Sequence, residues 1–193
     1  MRTLPAVMDA IAQANLHDRL WVVDSGSTDG TIDFAKAYGA TVTHRDWDGM
    51  VGQRRFLLEH CRAQGANWAL MLDADEWPNA ALWSAVAKFM EQDPPNIVGA
   101  VLHRQLILHG RPLHYVCQPE RRLRLVRPEC ASVVGSCGDQ AEGIHDRIEV
   151  EGSTIRLPGK LMHDAFVDVG DALSRNLGYA PVSYTHLRAH ETS

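Results

Sequence analysis

The chain has 193 residues, 45% of them hydrophobic, and a formal net charge of −5 at pH 7. Length and apolar share suit one domain around a single buried core, and the acid excess removes bulk electrostatic support for a nucleic-acid partner. No apolar run approaches the roughly 20 residues that span a bilayer, and no signal-peptide pattern opens the chain.

In chain order, the pattern predicts a helix over about Leu4 to Ala14, with Pro5 tolerated in its first turn. A strand at Arg19–Val23, a helix from Thr31 to Tyr38 ended by Gly39, and a strand at Ala40–His44 follow. After a polar loop, Arg45 to Gly52, comes a helix to about Arg62 with Phe56, Leu57, His60 and Cys61 on one face. The next units are a strand at Trp68–Leu72 and a helix from about Asn79 to Gln92 with Leu82, Val86 and Phe89 inward. This alternation argues for a parallel sheet. The second half is richer in strands, at Val98–Leu108, Leu123–Val126, Arg147–Val150 and Thr154–Leu157. Gly135 to Gly143 lacks periodicity and reads as a loop, and a helix is expected from about Val167 to Leu177. The fold class is α/β, with a mixed sheet. Cys61, Cys117, Cys130 and Cys137 have no regular spacing and read as reduced thiols of a cytosolic protein.

Two polar clusters directly follow short apolar runs. The first is Asp24-Ser25-Gly26-Ser27-Thr28-Asp29-Gly30-Thr31, and the second is Asp73-Ala74-Asp75-Glu76. In open α/β sheets, ligands bind beyond the carboxyl ends of strands. Small residues in the first cluster let backbone N–H groups approach an anion at a helix start, and Asp29 is placed to cap that helix. In the second, two carboxylates two residues apart on an extended segment point the same way. Asp73 and Asp75 together suit Mg²⁺ or Mn²⁺, hard ions that share carboxylates with substrate phosphates. Glu76 fits a solvated turn that caps the following helix. A phosphatase-type Asp-X-Asp-X-Thr is excluded, since Trp77 stands where Thr is needed. Arg54 and Arg55, in a first helical turn, oppose the helix dipole, which a nearby diphosphate would explain. Arg122 and Arg124 alternate with apolar residues on one strand face, as either an exposed face or a contact for an anionic acceptor.

The runs Val22–Thr31, Leu72–Glu76 and Leu123-Arg124-Leu125, with His145-Asp146 followed by Gly152 and His163, resemble the inverting, nucleotide-sugar-dependent glycosyltransferases of family 2. Within that family they are most similar to bacterial lipopolysaccharide-core glucosyltransferases. The resemblance implies a GT-A-like fold, a mixed and mainly parallel sheet flanked by helices, here without the family's first strand and C-terminal part. Residues 1–181 would form one such catalytic domain, about 1–92 binding nucleotide and 93–181 facing the acceptor. It implies a UDP-sugar donor, a lipid-linked core saccharide acceptor, and work in the cytoplasm with peripheral contact at the inner face of the membrane. By the same resemblance, Asp24, Ser25, Gly26, Ser27, Asp29, Arg54 and Asp73 bind nucleotide, Asp24 through the base. Asp75, Asp73 and His163, the last placed after the final strand, hold the metal. Inversion needs a carboxylate base on the acceptor side; Asp146 is the first choice, with Glu142 and Asp139 as substitutes.

Two alternatives stand beside this reading. A sugar-nucleotide nucleotidyltransferase shares the architecture and metal, although the Asp24 loop argues against it. A catalytically inactive nucleotide-binding fragment would share the motifs. Residues 182–192 match a translated sequencing adapter and are expected to be non-native, so His186 and His190 receive no role.

Overall fold

Two short strands that end in a polar side chain pair near the start of the computed structural model, which describes residues 4–13, 20–115, 119–135, 147–164, 166, 168, 170 and 171. Strands β1 (Trp21–Asp24) and β2 (Thr41–His44) run parallel, with Asp24 opposite His44. A parallel pair needs a crossover, supplied here by helix α2 (Thr31–Ala37). Helix α1 (Leu4–Gln13) buries Val7, Met8 and Ile11, one face at helical spacing, against Ala35 and Ala40.

The larger sheet is mixed and organised around β5 (Ile97–Leu108). Its order is β3 (Ala69–Leu70), β7 (Glu120–Val126), β5, β11 (Leu161–His163) and β4 (Glu76–Pro78). Strands β6 (Arg111–Pro112) and β10 (Ser153–Arg156) also pair with β5. Strands β10 and β11 run parallel to β5, while β6 and β7 run antiparallel to it. Strand β4 closes antiparallel on β11. A separate antiparallel pair joins β8 (Ala131–Val134) to β9 (Arg147–Val150).

Helix α4 (Ala80–Gln92) starts where Asn79 Oδ1 accepts the Leu82 amide at 2.9 Å. The same oxygen accepts the Lys160 amide at 3.1 Å, tying the cap to the approach to β11. Leu82, Val86 and Phe89 are buried as their spacing predicts, packing with Ala100, Leu102, Leu125 and Leu161. Each such side chain contributes about 1.5–3 kcal/mol when fully buried.

Helix α3 (Met50–Ala63) buries a different stripe from the one expected. Val51, Arg54, Leu58 and Cys61 face inward, toward Ala69, Met71, Val126 and the β8–β9 pair. Of the expected face only Cys61 is buried; Leu57 packs at the margin of the same cluster and His60 lies edge-on to Trp21, their ring centres 4.9 Å apart. Phe56 lies instead beneath the Arg45 guanidinium, 5.1 Å from its ring centre.

Strands β4, β6, β8 and β11 were not expected. Strands β4, β6 and β11 are two or three residues long, too short for period-two alternation to register; β8 has four residues. The Trp68–Leu72 run forms only a two-residue strand, since the chain turns at Asp73 to enter β4. The loop expected at Gly135 to Gly143 and the helix expected from Val167 fall almost wholly outside the described residues.

Candidate active site

The loop after β1 is shaped by its own carboxylate. Asp24 is buried, and its Oδ2 accepts the amides of Gly26 at 2.8 Å and Ser27 at 3.0 Å. Gly26 has φ +102°, a conformation that glycine adopts without a steric penalty. Burial pushes the Asp24 carboxyl up, but hydrogen bonds from Ser27 and Gly26, with His44 alongside, outweigh it and hold the group below the usual carboxylate range. Asp29 Oδ1 accepts the Thr31 amide at 3.2 Å and its hydroxyl at 2.5 Å. The cap position itself belongs to Gly30, so Asp29 acts from one residue earlier than expected.

Adjacent residues of α3 reach both acidic motifs. Gln53 Nε2 donates to Ser25 Oγ at 3.2 Å and to the Asp46 carbonyl at 3.0 Å. Arg54, only 8% exposed, donates to Asp73 Oδ1 at 2.6 Å. The helix begins at Met50, so Arg54 and Arg55 lie in its second turn and not, as expected, its first. One turn in from the helix start the dipole opposes a positive charge less, so the two arginines need no waiting diphosphate to offset it. Arg55 donates to the Val133 carbonyl at 3.1 Å and fastens α3 to β8.

The second motif is a turn, not the extended segment expected. The Glu76 amide donates to the Asp73 carbonyl at 3.0 Å, so the two aspartates meet different partners. Asp73 is gripped by two guanidinium groups, Arg54 at Oδ1 and Arg124 at Oδ2, each at 2.6 Å. Arg124 also donates to Glu76 Oε1 at 2.8 Å, and Arg104 reaches the same oxygen at 3.1 Å. Arg104 continues to Glu120 through two hydrogen bonds, one of them at 2.8 Å, and Arg122 ends the row 2.8 Å from Glu120. Positive and negative groups alternate from α3 to the outer end of β7.

Two expectations are corrected here. Glu76 is fully buried and does not cap a helix; Asn79 does that. Arg124, 3% exposed, is a buried counter-ion and not an exposed contact for an acceptor. Glu76, Arg104 and Glu120 were missed as members of the site. Their signal was charge inside apolar or strand-forming runs, most visibly Arg104 within β5.

Asp75 turns elsewhere. Its Oδ2 lies 3.5 Å from His163 Nε2. Burial pushes the Asp75 carboxyl up, yet His163 and, more distantly, Arg104 outweigh it and hold the group low. His163 is the last residue of β11, not a residue beyond the final strand. Its Nδ1 is buried and has no hydrogen-bond partner among the described residues. The orphaned Nδ1 points away from Asp75, so only Nε2, 3.5 Å from Asp75 Oδ2, could share a divalent cation with that carboxylate, with phosphate oxygens supplying the rest of the shell. Among the described residues no three His, Cys, Asp or Glu side chains converge as a cation site. Asp73, already held by two arginines, does not join the pair. Asp146, Glu142 and Asp139 lie outside the described residues.

Residues 2–137 match the family model for glycosyl transferase family 2. The chain belongs to that family. Its mixed α/β architecture is that of a GT-A-like family 2 domain. Among curated relatives it is 31% identical, over 153 residues, to the lipopolysaccharide core biosynthesis glycosyltransferase LpsC of Rhizobium meliloti. That match covers 74% of this chain and 52% of LpsC. It is also 44% identical over 62 residues to uncharacterized glycosyltransferases of Rickettsia prowazekii and Rickettsia typhi, covering 32% of this chain and 20% of each relative. The family 2 chain thus spans about half the length of LpsC and about a fifth of the Rickettsia proteins in these matches. Among its described residues, no helix is long and apolar enough to cross a membrane.

Proposed function

We propose that this family 2 chain carries out metal-dependent, inverting transfer of a sugar from a nucleotide-sugar donor, a UDP-sugar, to a lipopolysaccharide-core or other lipid-linked saccharide. The observation that carries the donor site is the pair Gln53 and Arg54. Neighbours on one helix, they bind the Asp24 loop and the Asp73 turn respectively, so both acidic motifs border one region. The acceptor class rests on the similarity to LpsC, and with it the placement in the cytoplasm, in peripheral contact with the inner face of the membrane.

In this reading the loop Asp24, Ser25, Gly26, Ser27 and Asp29 cradles the nucleotide, its shape set by the Asp24 carboxylate. Asp75 and His163 hold Mg²⁺ or Mn²⁺, which when bound neutralises charge on the departing nucleoside diphosphate. Arg54 and Arg124 keep Asp73 compensated beside it. The acceptor hydroxyl oxygen bonds to the anomeric carbon as the carbon–oxygen bond to the diphosphate breaks. Its proton passes to Asp146, with Glu142 as the substitute base.

Calorimetric titration with UDP and other nucleoside diphosphates, with and without Mn²⁺, tests the donor site. Mn²⁺-dependent binding that prefers UDP is expected, and Asp75→Ala should abolish it while leaving the chain folded, at a somewhat lower unfolding temperature. Unchanged affinity in Asp75→Ala overturns the metal assignment. Asp146→Asn should spare donor binding and remove transfer; normal transfer moves the base to Glu142 or Asp139.

A further inference from the structure

We propose that Glu76 is a positioning residue for the donor turn: it locks Asp73 into the arginine clamp and assigns Asp75 to the cation. The inference rests on the donor-and-metal reading above and extends it to a residue with no contact to donor or metal in that scheme.

Glu76 closes the turn twice. Its amide donates to the Asp73 carbonyl at 3.0 Å, and its own Oε2 accepts the Asp73 amide at 3.2 Å. The other carboxylate oxygen, Oε1, accepts Arg124 at 2.8 Å and Arg104 at 3.1 Å. The Arg124 nitrogen that reaches Glu76 is the one that also binds Asp73 Oδ2. One guanidinium nitrogen thus ties the two carboxylates together, and Asp73 acquires a second cation beyond Arg54. Two guanidinium groups on one carboxylate make it a poor ligand for a dication, through like-charge repulsion.

The same residue frames the other side. In the antiparallel pairing of β4 with β11, Glu76 stands opposite His163. Next along the chain, the Asp164 amide donates to the Asp75 carbonyl at 3.0 Å. Glu76 therefore anchors the backbone on which Asp75 and His163 face each other.

Stability alone explains such a carboxylate badly. Glu76 is fully buried, and an apolar, well-packed replacement of a buried ion-pair group is often as stable or more so. What an apolar residue would not do is hold the Asp73 amide and share Arg124 with its side chain.

The test uses the full chain and two measurements, thermal unfolding and calorimetric Mn²⁺ titration at fixed UDP, the latter well below each variant's unfolding temperature. Glu76→Gln is expected to stay folded at the titration temperature and to lose at least about tenfold in Mn²⁺ affinity. A purely structural role would lower the unfolding temperature and leave the affinity of the folded chain unchanged, which overturns the assignment. Should the single variant fail to fold, the charge-balanced pair Glu76→Gln with Arg104→Gln takes its place under the same criteria. Absence of Mn²⁺-dependent binding by the unsubstituted chain overturns the donor reading and this inference together. Full-strength binding in the Glu76 variant overturns this inference alone.

Discussion

Arg54 and Asp73 meet at 2.6 Å across a helix face that is otherwise apolar, between Val51 and Leu58 of α3. Removing one partner of a buried pair costs about 3–5 kcal/mol, because the other charge is left uncompensated. Here Asp73 keeps Arg124, which places Arg54→Met near the low end, about 3 kcal/mol. Urea titration checks this through a lower midpoint at an unchanged slope. An unchanged midpoint would mean that the pair does not contribute to folding.

What was legible in the sequence divides along physical lines. The face of α4 was readable because Leu82, Val86 and Phe89 recur at helical spacing and meet a sheet. The placement of both acidic motifs was readable because each follows an apolar run. What each carboxylate faces was not. Arg124 lies 51 residues from Asp73 and reaches it only once β7 has paired with β3 and β5. Short strands such as β4 and β11 carry no alternation of their own, so the pairing that sets His163 opposite Glu76 was invisible. A clue did exist at Arg54: a charged residue three positions after Val51 and four before Leu58 sits inside a buried stripe.

The C-terminal end of α4 is held by an aromatic clamp. The Trp68 indole N–H donates to Asp93 Oδ1 at 2.8 Å, and Arg127 binds that oxygen at 2.7 Å while lying 4.3 Å above the indole. Trp68→Phe keeps a ring beneath Arg127 and loses the donor, for an expected cost of about 1–2 kcal/mol. Trp68→Ala removes the ring as well, and about 3–5 kcal/mol is expected. Equal losses in the two variants, measured by chemical denaturation, would show that the polar end carries the clamp and the ring does not.

Two glycines with positive φ separate backbone strain from crowding. Gly65 has φ +65° and open space where a Cβ would stand. Gly159 has φ +99°, and a Cβ there would overlap the Leu82 backbone at the start of α4. Gly65→Ala is expected to cost about 1–2 kcal/mol from the left-handed conformation alone. Gly159→Ala adds overpacking of about 1–3 kcal/mol and should unfold at clearly lower temperature than Gly65→Ala. Equal unfolding temperatures would place the turn before β11 farther from α4 than the structure has it.

Acid should destabilise this fold through a small set of carboxylates. Burial acts to raise Asp24, Asp75 and Glu120, but their donors prevail and hold all three below the ordinary range: Ser27 and Gly26 for Asp24, His163 for Asp75, and Arg104 with Arg122 for Glu120. A carboxylate depressed in the folded state takes up its proton in the unfolded state first as pH falls. Its stabilisation is therefore complete above the unfolded value of about 4 and is lost as pH drops through the lower folded value. Urea midpoints should be level from about pH 7 to 5 and fall progressively below that. Glu120→Gln removes one of these groups and breaks its pairs with Arg104 and Arg122. It should lower the midpoint at neutral pH and make the acid decline shallower than in the unsubstituted chain. A decline of unchanged steepness would mean that the Glu120 carboxyl titrates alike in the folded and unfolded chain, and that the outer end of the charge row does not hold it.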